Sequence, residues 1–171
     1  MDVIILTGGG YQMIDMKSRT ACFTGHRELP TDDLPEISKR LEDTLTTLIE
    51  QGYRYFGAGG ALGFDTLAAQ VVLRLRERYP QIRLILVLPC LNQTRGWPQA
   101  DIDAYEEIKR CADKVTYTSE HYFRGCMQKR NRHLVKNSSC CICYLTKESG
   151  GTKNTVDFAK TSGIKIVNLA K

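Results

Sequence analysis

Residues 53–88 read YRYFGAGGALGFDTLAAQVVLRLRERYPQIRLILVL, and three successive patterns lie inside them. Residues 53–57 form a short β-like run. Phe64, Leu67, Ala68, Val71, Val72 and Leu75 then recur at helical spacing, opposite Arg74, Arg76 and Arg78, until Pro80 ends the pattern. Residues 82–88 are almost wholly apolar, as expected of a strand covered on both faces. A strand, a glycine-bearing turn, a helix and a second apolar strand make a βαβ unit. Its right-handed crossover sets the two strands parallel.

The alternation extends outward in both directions. Upstream, residues 19–24 read as a first strand, 25–33 as a loop and 36–51 as a helix. That helix carries the stripe Ile37, Leu41, Leu45, Leu48 and Ile49 and is stopped by Gly52. Downstream, 89–100 is a long loop, 101–111 a helix, 114–118 a strand, 125–137 a helix, 139–145 a strand and 152–161 a helix, and Gly163 turns the chain into a last strand at 164–169. The order β-α-β-α-β-α-β-α-β-α-β predicts a Rossmann-like α/β fold: one doubly wound, mostly parallel sheet with helices on both faces. A chain of 171 residues with 42% hydrophobic content supports one core, so residues 19–171 are expected to form a single domain.

Residues 1–18 read as a flexible or adventitious leader, with Met16 an alternative start and an extra edge strand the competing reading. The apolar run Val3-Ile4-Ile5-Leu6 is preceded by Asp2 and by no Lys or Arg, which argues against a secretory signal. No apolar run approaches the roughly 18–20 residues of a membrane span. The seven cysteines fall mostly inside apolar runs, a pattern of reduced thiols in a cytoplasmic protein. Cys140, Cys141 and Cys143 lie within one strand, Cys141 and Cys143 facing one side and Cys140 the other, so they read as buried thiols and no metal site is expected. A net charge of +5 permits anionic ligands. Part of the surplus crowds into Arg124, Lys129, Arg130, Arg132 and Lys136, a stretch without an acid.

The chemistry concentrates in three segments that follow β-like runs: Thr24-Gly25-His26-Arg27, residues 57–65, and Gly150-Gly151-Thr152-Lys153-Asn154-Thr155. Their backbone N–H groups would converge at the carboxyl edge of one parallel sheet, the geometry of a phosphate or nucleotide pocket. The spacing of Gly57, Gly59 and Gly63 is not an NAD fingerprint. It follows the second strand, and the acid about 20 residues on, Glu77, falls inside a helix. No Gly-Lys-Ser/Thr closes a glycine loop, so the Walker pattern fails too.

More generally, Gly59, Gly60 and Gly63 would let a ligand approach the backbone, and the amides at the start of the helix at Phe64 would meet an anion. Asp65 either matches the charge of that helix end or accepts hydrogen bonds from a ribose hydroxyl or base amine. Arg27 is a candidate phosphate partner and His26 its neighbour. After Pro89, Arg95 and Trp97 read either as a base-stacking lid or as packing against the domain. Met127, Arg130, Asn131 and Leu134 share a helical face, which points Arg130 and Asn131 along the sheet edge and Arg132 into water.

Taken in order, residues 22–27, 59–65, 130–135 and 150–156 resemble the YpsA-like branch of the SLOG superfamily, over about residues 19–168. The resemblance implies a Rossmann-like pocket for a nucleotide or related ligand, with Thr24, Gly25, His26, Gly60, Gly63, Asp65, Asn131, Gly151, Thr152 and Thr155 at the matching positions. Phe64 and Gly150 lie within the same motifs. The superfamily includes the LOG phosphoribohydrolases, whose Pro-Gly-Gly-x-Gly-Thr-x-x-Glu motif carries a glutamate that works on the ribose. Here that position is Thr155. Loss of a positioned acid typically costs about 10²–10⁴-fold.

The leading expectation is therefore a cytoplasmic protein that binds a nucleotide, ADP-ribose-like or similar phosphorylated ligand as a sensor, with no required cofactor. One alternative is a phosphoribohydrolase with Asp65 and Arg130 as catalytic candidates. The other is a DprA-like single-strand nucleic-acid binder. Related domains often pair, so a homo-oligomer is also expected.

Overall fold

The computed structural model describes the backbone of residues 2–7 and 10–170 and the side chains of residues 15–170. Within the expected leader, Gly8 and Gly9 lie outside the described residues. Strands β1 (Asp2–Thr7) and β2 (Gly10–Asp15) pair antiparallel in a two-stranded sheet of their own, and neither adds an edge to the main sheet.

The main sheet is built from β3 (Thr20–Gly25), β4 (Tyr55–Ala58), β5 (Arg83–Leu88), β6 (Lys114–Tyr117), β7 (Cys140–Tyr144) and β8 (Lys165–Asn168). Between them run α1 (Leu34–Glu50), α2 (Phe64–Arg78), α3 (Gln99–Cys111), α4 (Cys126–Lys136) and α5 (Gly151–Thr161). The strand order is β6-β5-β4-β3-β7-β8, and every neighbouring pair is parallel. This is the doubly wound α/β arrangement expected from the alternation. The order runs leftward from β3 to β6 and then restarts on the other side of β3 at β7. That reversal opens a crevice beyond the carboxyl ends of β3 and β7, where ligands of such folds bind.

Period-two alternation divides the core. Ala21, Phe23, Cys140 and Ile142 pack with Phe56, Leu84 and Leu86 against α1, α2 and α3. Cys22, Cys141 and Cys143 pack with Leu134, Val135, Val156 and Ala159 of α4 and α5. The strand thiols therefore face opposite sides, and burial of apolar surface at roughly 25 cal/mol per Å² stabilises both layers. All seven cysteines are free. Burial pushes Cys140 up to about 11 and Cys143 up to about 12. Cys141 is raised by its hydrogen bond to Cys22 and by burial. Such thiols stay protonated and inert at neutral pH. Among the described residues, no helix is long and apolar enough to cross a membrane.

Helices α1 and α3 each start two residues earlier than the hydrophobic spacing suggests, because local turns feed them, and α5 starts one residue earlier. A 3-10 turn at Thr31–Asp33 leads into α1, with a proline in its first turn. Pro98 immediately precedes α3, and its carbonyl accepts from Asp101 and Ile102 at 3.1 Å.

Candidate functional site at the strand reversal

A cavity of about 350 Å³ opens at the β3–β7 crevice. The end of β3 and its following loop supply Thr24, Gly25, His26, Arg27 and Glu28; the β4–α2 turn supplies Ala61 and Asp65. Helix α4 contributes Met127, Arg130 and Asn131, and the β7–α5 segment contributes Lys147, Gly151 and Thr152.

Arg130 carries the strongest electrostatics of the cleft. Only 4% of the residue is exposed. Its Nε donates to Asn131 Oδ1 at 2.7 Å, its Nη1 to the carbonyl of Gly59, and its Nη2 to Met127 Sδ at 3.9 Å. A Cβ on Gly59 would meet the guanidinium, so any larger residue there would displace Arg130 from this position. Among the described residues no carboxylate pairs directly with Arg130. Burial works against its charge and the nearby Asp65 carboxylate supports it.

Asp65 is itself buried, which raises its pKa, while Arg130 and backbone N–H groups pull the other way. Its Oδ2 accepts from the Ala61 N–H at 3.2 Å, and Thr66 Oγ1 donates to the Ala61 carbonyl at 3.0 Å. The carboxylate thus organises the turn that precedes it as well as facing the cleft.

The glycines of that turn serve packing. At Gly63, φ is +74° and a Cβ would lie 2.5 Å from the His26 carbonyl oxygen and closer still to that of Arg27. The expected open space for a ligand at Gly63 is therefore occupied by the β3–α1 loop. The first amide of α2 is also engaged: Phe64 N–H donates to the His26 carbonyl at 3.1 Å. Gly25 fits because the Phe64 ring sits where its Cβ would be, and Gly60 because its Cβ would meet Leu88 Cδ2 at 2.6 Å. Phe64 is core, stacked on Tyr144 at 6.2 Å and edge-on to Phe23.

The start of α5 differs. Gly150, with φ of +101°, precedes Gly151 and Thr152; no side chain caps the helix and no acid stands in its first turn. A Cβ on Gly150 or Gly151 would meet nothing within 4 Å. Thr155, one turn further on, donates from Oγ1 to the Gly151 carbonyl at 2.8 Å and accepts from Asn131 Nδ2 at 2.9 Å. This link fixes the Asn131 amide between α4 and α5.

His26 closes the opposite wall. Its Nε2 accepts the Thr146 N–H at 2.9 Å, which assigns the neutral ring proton to Nδ1. Burial, and then Lys147, lower its pKa. Arg27 is exposed.

The structure thus brings Thr24, Gly25, His26, Arg27, Asp65, Arg130, Asn131, Gly151 and Thr152 to one cleft. Gly150 stands at the cap, and Gly59 and Thr155 form a layer behind Arg130 and Asn131. Gly60, Gly63 and Phe64 support the walls. Pro89 is buried at the end of β5, and Trp97 packs edge-on against Tyr105 at 5.7 Å, so the lid reading gives way to packing. Glu28, Ala61, Met127 and Lys147 are further lining residues. Lys147 follows β7 at the edge where His26 follows β3, and this parallel position was a usable signal.

The YpsA family model, described as the YspA SLOG family, matches residues 22–165. The UPF0398 protein BH1768 of Halalkalibacterium halodurans is 31% identical over 118 residues, covering 68% of this chain and 62% of that protein. The chain thus matches less than two thirds of this relative's length. A UPF0398 protein of Bacillus thuringiensis is 29% identical over 130 residues, covering 74% of this chain and 71% of that protein.

Among solved structures, DNA processing protein A (DprA) from Streptococcus pneumoniae superposes with a TM-score of 0.65 at 18% identity, over 88% of this chain and 50% of that one. DprA from Helicobacter pylori gives 0.63 at 17% identity, over 88% and 65%. TM1055 gives 0.53 at 19% identity, over 86% and 72%. The structural likenesses confirm the fold. The family model spans all four sequence motifs and most of the six-stranded domain, and the chain belongs to the YpsA family of SLOG proteins.

Proposed function

We propose that the cleft binds a nucleotide or nucleotide derivative, with a phosphate against Arg130, Asn131 and the first amides of α5, and that the protein acts as a sensor or regulatory domain. The observation that carries this reading is the buried Arg130 guanidinium, with which no carboxylate among the described residues pairs directly. A buried cation is costly unless an anion compensates it, and Asp65 supports this one only from a distance, without a direct pair. The uncapped N-terminus of α5 adds a partial positive charge and free N–H donors on the other side of the same cavity. Arg27 and Lys147 at the rim extend the attraction.

Binding without turnover is favoured by the carboxylates available. Where the LOG motif has its glutamate, Thr155 spends its hydroxyl on Gly151 and Asn131. Asp65 is engaged by the Ala61 N–H, and Glu28 is exposed at the rim. Apart from Glu28, no second free carboxylate among the described residues that line the cleft stands beside Asp65 to complete an acid–base pair.

The test is to incubate the purified protein with a mixed nucleotide pool, remove unbound material, denature it and identify the released molecules by mass spectrometry. An intact nucleotide at near-stoichiometric level is expected. Free base with ribose phosphate would replace this reading with hydrolysis, and an empty cleft would remove the small-ligand reading.

A further inference from the structure

The exposed large hydrophobic side chains of the described residues are Leu91 (59%), Tyr122 (63%) and Phe123 (45%). They belong to two neighbouring loops that leave the carboxyl ends of β5 and β6, joined where Leu91 N–H donates to the Glu120 carbonyl at 3.2 Å. Among the described residues the other large apolar groups are buried or half-buried, so two adjacent exposed aromatic rings here call for an occupant. The surroundings specify its charge. Arg124, which follows the rings in the chain, is exposed, as is Arg95 in the loop that carries Leu91. Lys129 Nζ stands 5.9 Å from the Phe123 centroid while donating to the Thr118 carbonyl at 2.6 Å. Arg132 and Lys136 continue the cationic row along the outer side of α4, and no acid occurs between Arg124 and Lys136. In residues 89–98 and 118–136 together, Glu120 is the single carboxylate.

We propose that the Tyr122–Phe123 loop and the outer face of α4 form a platform for single-stranded nucleic acid, bases stacking on the two rings and backbone phosphates following Arg124, Lys129, Arg132 and Lys136. Apolar rings bordered by cations match the alternation of base and phosphate in an unpaired strand. A duplex keeps its base faces stacked inside, where exposed rings cannot reach them. A second copy of this chain fits less well, because a two-fold interface would set the same cations against themselves. The platform is distinct from the cleft: Arg130 and Asn131 point inward from α4, whereas Lys129 and Arg132 point outward. The proposal therefore stands independently of the nucleotide reading.

Fluorescence anisotropy with a labelled oligothymidylate of about 20 nucleotides, longer than the roughly 4–16 nucleotides of common single-strand sites, tests it. Saturable binding is expected at low salt and should weaken steeply as salt rises. Tyr122→Ala/Phe123→Ala, at exposed positions, should lower affinity roughly tenfold or more. Arg124→Ala/Arg132→Ala should reduce the logarithmic salt slope by about 0.7 per lost phosphate contact. Arg74→Ala/Arg78→Ala, which removes two exposed cations of α2 outside both the platform and the cleft, should change oligothymidylate affinity less than about twofold.

The proposal is overturned if the wild-type protein gives no anisotropy change, if the double aromatic variant binds as well, or if a duplex of equal length binds as tightly. It is equally overturned if that variant converts a dimer to a monomer in sedimentation, which would assign the patch to self-association.

Discussion

Two helices begin behind glycines at the same edge of the sheet, and they use those glycines oppositely. At α2, each glycine is crowded: Gly59 by Arg130, Gly60 by Leu88, and Gly63 by the Arg27 and His26 backbone. Its first amide is taken by the His26 carbonyl, and Asp65 draws the preceding turn onto itself. At α5, Gly150 and Gly151 border open space, and no acid stands in the first turn. One glycine cluster lets protein segments approach one another. The other borders open space. A glycine-rich turn before a helix is thus a statement about close approach, and the partner in that approach decides whether the turn is architecture or binding site.

The contrast is sharpest in a pair of substitutions. Gly63→Ala should lose about 2–4 kcal/mol of stability, since it combines strain at φ of +74° with a clash against the Arg27 backbone. Gly151→Ala should stay within about 0.5 kcal/mol. Urea unfolding of both variants measures the difference, and equal losses would break the comparison.

Next in size is the charge that faces the open helix end. Arg130→Lys should weaken nucleotide binding roughly tenfold, because the planar fork between Gly59 and Asn131 is lost while the charge is kept. Removing the charge with Arg130→Met should weaken it further. Equilibrium dialysis reads both, with circular dichroism confirming a cooperative fold.

Smaller again is Thr155→Val, which deletes the hydroxyl linking Gly151 to Asn131. A stability loss of about 1–2 kcal/mol is expected by urea unfolding. A neutral result would mean that the α5 end needs no support from α4.

The smallest effect is a pH dependence from His26. Its pKa is lowered in the folded protein by burial and Lys147. The stability it contributes is therefore complete above the unfolded value of about 6.5 and is lost as pH falls through the lower folded value. Urea midpoints of the wild type and His26→Gln, compared between about pH 5 and pH 8, should converge toward the acidic end. A gap that widens on acidification would contradict the neutral, Thr146-bonded ring.

Much of this architecture is legible from periodicity. The span of α2 and the two-sided cysteines of β7 follow from apolar spacing alone, because burial imposes the periods of 3.6 and 2. The shared carboxyl edge of the three glycine segments was legible as well, since an unbroken β-α alternation makes the sheet parallel, whereas the strand order and its reversal between β3 and β7 were not. What spacing cannot carry is the direction of a glycine's missing side chain. Gly63 and Gly151 look equivalent in sequence, yet the first faces the carbonyls of a loop distant in the chain and the second faces solvent. Trp97 is similar: a tryptophan beside an arginine serves a lid or a core, and only the position of Tyr105 decides. Arg130 was recognisable as inward-facing from its helical register. That it is a buried cation without a direct carboxylate partner depends on tertiary placement.

The buried Arg130 guanidinium and the open end of α5 are together proposed to hold a phosphorylated ligand. Isothermal titration of the wild-type protein and Arg130→Met with AMP and with ADP-ribose tests it directly. Saturable heat with at least one of the two ligands in the wild type, and its loss in a folded Arg130→Met protein, is the predicted result. Equal binding by both proteins, or no binding of either ligand by the wild type, would contradict it.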